Sequence, residues 1–203
     1  AFALPRVRPH LHLSVQSGSD GILGAMGRHY TRDQVLRAAD AVRAARADPF
    51  IGADIILGFP GETDDDFAGT IDLLRRLDPA WVHAFTFSPR PGTRAFDMKP
   101  RVPERVAVER AAVVQALAEE GKARFAARRI GTVVRAVADA HEYIAADEQR
   151  GAIVATSAEY LKLLVSGVPS GFCGEFACRA DSAAAPGSEG AGIDLIAHFI
   201  ARD

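Results

Sequence analysis

From His10 the chain alternates with period two. His10, His12, Ser14 and Gln16 fall on one face of an extended segment, and Leu11, Leu13 and Val15 on the other. A strand with one apolar and one polar face predicts a sheet covered by helices on one side and lined by functional groups on the other. Gln16-Ser-Gly-Ser-Asp20 predicts a loop, and a helix is predicted from about Arg32. There Thr31 and Gln34 form a capping box, and Val35, Leu36, Ala39 and Val42 form the buried stripe. The unit then returns. Residues 51–59 predict a second strand, Pro60-Gly61 a turn and Thr63 a helix cap, with Asp64, Asp65 and Asp66 where the helix dipole favours acids. Phe67, Ile71, Leu74 and Leu77 give that helix its core face. Residues 81–87 predict a third strand, Ser88-Pro-Arg-Pro-Gly-Thr93 a loop, and 103–129 a long helix. Strand–helix alternation at this spacing predicts parallel βα units, an α/β class. Three units are too few to close an eight-stranded barrel, so they predict part of one.

After Gly131 the pattern changes to short β-branched or apolar runs at 133–137, 152–156, 160–165, 172–178 and 193–199. These predict a small antiparallel β-barrel, with Ser182 to Gly192 as a loop rich in Ala, Gly and Ser. The expected division is therefore 1–130 and 131–203.

Charge sharpens that break. Residues 1–130 carry 19 basic and 16 acidic side chains, whereas 131–203 carry 5 and 10. The chain of 203 residues, 48% hydrophobic and 25% charged, has the composition of a globular protein. No apolar run reaches the roughly 18 residues of a membrane span, and the start lacks the order of a secretion signal, so no membrane partner and a cytoplasmic location are expected. The start without methionine, almost directly on a strand, suggests a fragment. Cys173 and Cys178 lack the spacing of a zinc site and are expected to be free thiols.

Barrels of parallel strands carry their chemistry just after each strand. Gln16-Ser-Gly-Ser19, Gly58-Phe-Pro-Gly-Glu-Thr63 and Ser88-Pro-Arg-Pro-Gly-Thr93 are three loops of glycine and hydroxyl residues at equivalent places. They are either tight turns with helix caps or backbone cradles for a ligand. His10 and His12 either share a metal or line the sheet interior as polar groups. Asp54, on a strand face with Ile56 and Gly58, is either a hydrogen-bonded structural carboxylate or part of a ligand pocket.

Four runs together resemble one family. His10-Leu-His-Leu-Ser-Val-Gln-Ser-Gly-Ser-Asp20, Met26-Gly-Arg-His-Tyr-Thr31, Asp54-Ile-Ile-Leu-Gly-Phe-Pro-Gly-Glu-Thr63 and Ser88-Pro-Arg-Pro-Gly-Thr93 look like the methylthiotransferases among the radical S-adenosylmethionine enzymes. The resemblance implies a partial radical-SAM TIM-like barrel in 1–130 and a TRAM-like RNA-binding domain in 131–203. It implies insertion of a methylthio group at carbon 2 of an adenosine beside the tRNA anticodon. His83-Ala-Phe-Thr-Phe-Ser88 is closest to the branch acting on N6-threonylcarbamoyladenosine, with His83 as marker, although Ala84, Thr86 and Phe87 depart from its pattern. The sibling branch acts on isopentenyladenosine tRNA.

Carried over by position, the resemblance implies that Gln16, Ser17 and Ser19 lie near the methionine end of S-adenosylmethionine, with Arg28 on its carboxylate. Ile56, Gly58 and Glu62 would pack the adenine, with Asp54 or Ala53 where the pattern has a glycine. Arg28 and Glu62 are expected to serve the cofactor rather than folding. Tyr160-Leu-Lys162 resembles a TRAM segment, so Tyr160 and Lys162, with Arg90 and Arg94 on the rim, are candidates for the tRNA anticodon stem-loop. Arg124, Arg128 and Arg129 form a further basic cluster.

Such enzymes hold two 4Fe-4S clusters through cysteine triplets, and with two cysteines this chain supplies neither set. The ligands would come from a missing N-terminal portion of the same enzyme. The chain alone is then expected to be inactive, and the alternative is a non-catalytic module that binds RNA or a protein partner.

Overall fold

A computed structural model describes residues 4, 6–145, 150–169, 172–184 and 192–202. They form two compact units, one of Leu4 and residues 11–122, the other of residues 6–10 and 123–202.

In the first unit the alternating run becomes β1 (His10–Gln16), and α1 (Asp20–Ala25) follows. Then come α2 (Arg32–Ala45), β2 (Phe50–Leu57), α3 (Asp64–Leu77), β3 (Trp81–Thr86), the short α4 (Arg94–Asp97) and α5 (Glu104–Ala127). The strands form a sheet in the order β1-β2-β3, with β2 and β3 parallel and Asp54 opposite His83 and Ile56 opposite Phe85. The alternation decides the faces. Val15, Ile51, Ala53, Ile55, Leu57 and Val82 point to the helix side and are buried with Val35 and Ala39 of α2, Ile71 and Leu74 of α3, and Val114 and Ala118 of α5. The opposite face carries His12, Asp54, Ile56, His83 and Phe85 and is not covered to the same extent. The expected capping box of Thr31 with Gln34 is present, and Thr63, expected as a cap, forms a second box with Asp66. The expected loop at 16–20 is shorter than read, because Ser19 caps α1 by accepting from the Ile22 N–H.

The second unit is a closed five-stranded barrel in the order β4-β5-β6-β8-β7. Its strands are β4 (Val133–Ala145), β5 (Arg150–Ser157), β6 (Lys162–Pro169), β7 (Glu175–Ala183) and β8 (Leu195–Arg202). The barrel is not wholly antiparallel, because β8 runs parallel to β6 and antiparallel to β7. Period-two patterning marks which side chains point inward but carries no information on strand direction. Leu163, Val165, Phe176, Cys178, Ala180, Leu195 and Ala197 are buried, and the rings of Phe172, Phe176 and Phe199 pack together edge-on or tilted with centroids 5.4–5.6 Å apart. β4 pairs with β7 over Val133–Val137 and with β5 over Ala136–Ala138 and again over Tyr143–Ala145, with a register shift between Ala138 and Tyr143. The run expected from residue 160 starts two residues later, because Tyr160 occupies a turn at φ 73°. Ser182 and Ala183 complete β7, and most of the expected loop lies outside the described residues. Cys173 is exposed, Cys178 is buried, and both are free. Burial pushes the Cys178 thiol up to about 11, so it stays protonated and inert at neutral pH.

Candidate functional site

The loop after β1 is built by strain and close approach. Gln16 has φ 70°, and the Ser17 N–H donates to the Val15 carbonyl at 2.9 Å, closing a three-residue turn. A glutamine held there costs on the order of 1–3 kcal/mol, which the surroundings must offset. They do so through α3. The Gly18 N–H donates to Thr70 Oγ1 at 2.9 Å, and a Cβ at Gly18 would stand 2.4 Å from the Thr70 Cα, so only glycine fits. Ser19 Oγ donates to Asp66 Oδ1 at 2.5 Å, while Thr63 Oγ1 and N–H donate to Asp66 Oδ2 at 2.7 and 2.9 Å. Asp66 thus ties the first loop to the start of α3. Partial burial opposes its ionisation, but the bonds from Ser19 and Thr63 hold its carboxyl below the usual range.

The loop after β2 is built around a buried ion pair. The Gly58 N–H donates to Glu62 Oε2 at 2.7 Å, and Arg110 of α5 donates to the same oxygen at 2.6 Å and to Asp64 at 2.6 Å. The Glu62 side chain is 0% exposed and that of Arg110 is 7% exposed. Burial pushes the Glu62 carboxyl up, with Gly58 and Arg110 opposing. Burial would lower the Arg110 pKa, yet its bonds to Asp64 and Glu62 carry it above its ordinary value. Gly58 itself has φ 75°, and a Cβ there would meet the Ala107 Cβ at 2.6 Å.

On the open face of the sheet, His12 Nε2 and Asp54 Oδ1 are 2.7 Å apart. The His12 ring has room because residue 52 is glycine, where a Cβ would approach Nδ1 to 2.5 Å. His83 stands edge-on to His12 at 5.1 Å, with Trp81 at 6.0 Å and the half-exposed Phe85 at 6.1 Å along its own strand. His12 therefore serves as a paired polar group, and among the described residues no three His, Cys, Asp or Glu side chains could hold a metal ion. His10, which belongs to the barrel unit, rests there against Tyr160 at 4.9 Å.

The expected cofactor residues fall into two groups. Ser17, Ser19, Gly58 and Glu62 are bound into the scaffold. Ile56 lies on the polar side of the sheet with Asp54, Gln16 is buried at the left-handed end of β1, and Arg28 is exposed just beyond α1. Glu62 Oε1 is buried and has no hydrogen-bond partner, a spare acceptor beside a glycine-lined turn. An apolar side chain, backbone cradles and a spare carboxylate oxygen fit a nucleoside cofactor such as S-adenosylmethionine. Iron-sulfur clusters do not fit, since neither cysteine lies near these loops in sequence and both belong to the barrel unit.

Arg90 and Arg94 are exposed in the loop after β3 and in α4. In the barrel unit a cavity of about 280 Å³ is lined by Arg8, His10, Arg135, Val137, Tyr160 and Glu175. Arg8 contacts Glu175 at 2.8 Å and holds its carboxyl below the usual range, with Arg135 adding to the effect. Tyr160 is 65% exposed there, and Lys162 is half-buried. Sequence reasoning missed Arg110, Asp66 as a junction, and Gly52. Arg110 did leave a signal, since it stands on the stripe of Ala107, Val114 and Ala118, where a lone charge needs a partner.

Residues 4–74, which hold the first two strands, their helices and their strand-end loops, match the radical SAM superfamily. More particularly, the chain is similar to tRNA methylthiotransferases. It is 53% identical over 120 residues to the threonylcarbamoyladenosine tRNA methylthiotransferase MtaB of Treponema pallidum, covering 59% of this chain and 25% of that protein. To the enzyme of the same name from Thermotoga maritima it is 45% identical over 135 residues, covering 66% and 31%. To the tRNA-2-methylthio-N(6)-dimethylallyladenosine synthase of Rickettsia bellii it is 41% identical over 135 residues, covering 66% and 30%. The chain thus spans between a quarter and a third of the length of these relatives. Among solved structures, coproporphyrinogen III oxidase of Escherichia coli, a radical SAM enzyme, superposes with a TM-score of 0.48 at 17% identity over 56% of this chain and 27% of that one.

Proposed function

We propose that this chain is part of a tRNA methylthiotransferase that places a methylthio group on carbon 2 of N6-threonylcarbamoyladenosine beside the anticodon. The observation that carries the reading is the 53% and 45% identity to two enzymes named for that nucleoside. In this reading the first unit supplies part of the S-adenosylmethionine pocket through Gln16, Arg28, Asp54 and Ile56, supported by the loops that Ser17, Ser19, Gly58 and Glu62 hold in place. Bound there, S-adenosylmethionine would supply radical chemistry. The chain's own residues bind and orient it. The barrel is a TRAM-like module for the tRNA anticodon stem-loop in the cytoplasm, with Tyr160 and Lys162 as its contacts, and Arg90 and Arg94 of the first unit are further tRNA contacts. Two 4Fe-4S clusters and their cysteines belong to an N-terminal portion, without which the chain is inactive.

The test replaces the matching segment of the Thermotoga maritima relative with this one, in a strain lacking its own enzyme. Nucleoside mass spectrometry of the tRNA is expected to show 2-methylthio-N6-threonylcarbamoyladenosine with the chimera and none with the 203-residue chain alone. Methylthiolated dimethylallyladenosine instead would move the chain to the sibling branch. A folded, iron-loaded chimera that yields neither product would overturn the enzymatic reading in favour of a binding module.

A further inference from the structure

The open face of the sheet carries more polar chemistry than a purine requires. His12 and Asp54 hold each other at 2.7 Å, so His12 is oriented and its Nε2 is occupied. His83, the register partner of Asp54, has an exposed ring whose nitrogens make no hydrogen bond among the described residues, while Trp81, His12 and Phe85 fix the ring from three sides. A donor pre-positioned by packing and left without an acceptor is built for a ligand. Phe85, half-exposed, lies on the same face two residues further along β3, its ring centroid 6.1 Å from that of His83. A base stacked on Phe85 therefore has the His83 donor within reach of a substituent pointing down the sheet, and the neighbouring Asp54 charge is already paired.

The two kinds of relative differ in the chemistry of that substituent. A threonylcarbamoyl arm ends in a carboxylate and a hydroxyl, whereas a dimethylallyl arm is wholly apolar. An apolar arm placed against His83 would bury its N–H without an acceptor, which a polar site penalises strongly. We propose that His83 is the specificity-determining residue of this site, donating a hydrogen bond to the carboxylate-bearing arm of the substrate nucleoside, with His12 and Asp54 as positioning residues behind it. This inference rests on the methylthiotransferase reading above.

The experiment titrates the 203-residue chain with N6-threonylcarbamoyladenosine, N6-dimethylallyladenosine and adenosine, following amide and imidazole resonances by NMR. The wild type is expected to prefer the threonylcarbamoyl nucleoside about tenfold over the dimethylallyl one, equivalent to about 1.4 kcal/mol. His83→Phe keeps a ring against Trp81 and Phe85 and should abolish that preference, whereas His83→Gln keeps an N–H donor and should retain part of it. Unchanged preference in a folded His83→Phe variant would overturn the role of His83 and leave the substrate reading standing. A wild type that prefers the dimethylallyl nucleoside, or binds neither, would overturn the substrate reading and this inference with it.

Discussion

Glu62, expected from its motif as a cofactor group, also has a place in the scaffold. Its place in a strand-end loop suggested a group removable without cost to the fold. The structure instead gives it a fully buried carboxylate that holds both Gly58 and Arg110. Glu62→Ala should therefore lower stability by about 3 kcal/mol, at the low end of the range for breaking a buried pair because Asp64 still serves Arg110. Arg28→Ala, at an exposed position, should stay within about 0.5 kcal/mol. Urea denaturation of the two variants separates them, and equal midpoints would contradict the structural role of Glu62. Gly52→Ala should displace the His12 ring and break its bond to Asp54, visible as a shifted His12 imidazole resonance with little loss of stability, since the obstructed atom ends a side chain. Residue types at strand ends made Gln16, Asp54 and Glu62 legible beforehand. Their partners were not, because Arg110 lies 48 positions from Glu62 and Asp54 lies 42 from His12, and no local period links such distances.

Elements were read well wherever one face of a strand or helix is buried, as in β1 to β3, α2, α3 and α5. The pattern was weakest where the backbone itself decides, at α1, set by the Ser19 cap, and at the Tyr160 turn. The junction of the first loop with α3 is where element packing is tightest. Gly18→Ala puts a methyl group into the Thr70 backbone, which cannot yield without moving α3, and should cost about 1–3 kcal/mol. A melting temperature equal to the wild type would show that the loop and α3 are not in such contact. Asp66 makes the same junction sensitive to acid. A carboxyl held below its unfolded value contributes stability that is present above the ordinary carboxylate range and is lost as pH falls through the lowered pKa. Asp66→Asn should remove that contribution and flatten the dependence of stability on pH below the ordinary carboxylate range. An acid limb as steep as in the wild type would assign the linkage to another group.

At the scale of the whole molecule, charge and patterning separated an α/β portion from a β-barrel portion, and two compact units are what the chain forms. The barrel's strand order was beyond reach, because the same alternation is compatible with several orders. Among the described residues β1 pairs only with β2, and beside it lies an apolar cavity of about 330 Å³ lined by Leu13, Val15, Tyr30 and Val35 with Ser14 and Gln34. An unpaired edge next to exposed apolar surface invites pairing with another chain. Light scattering should detect concentration-dependent association of the 203-residue chain, and Leu13→Lys should reduce it severalfold; a monomer at all concentrations would show the edge to be protected. The barrel's order has a consequence for quality control in the cell. β6 and β7 follow one another in the chain yet are not partners, because β8 fills the place between them. A product lacking β8 through frameshift or clipping would not retain a smaller barrel. It would expose two raw strand edges around an apolar interior, the kind of surface by which chaperones and proteases recognise a protein for disposal.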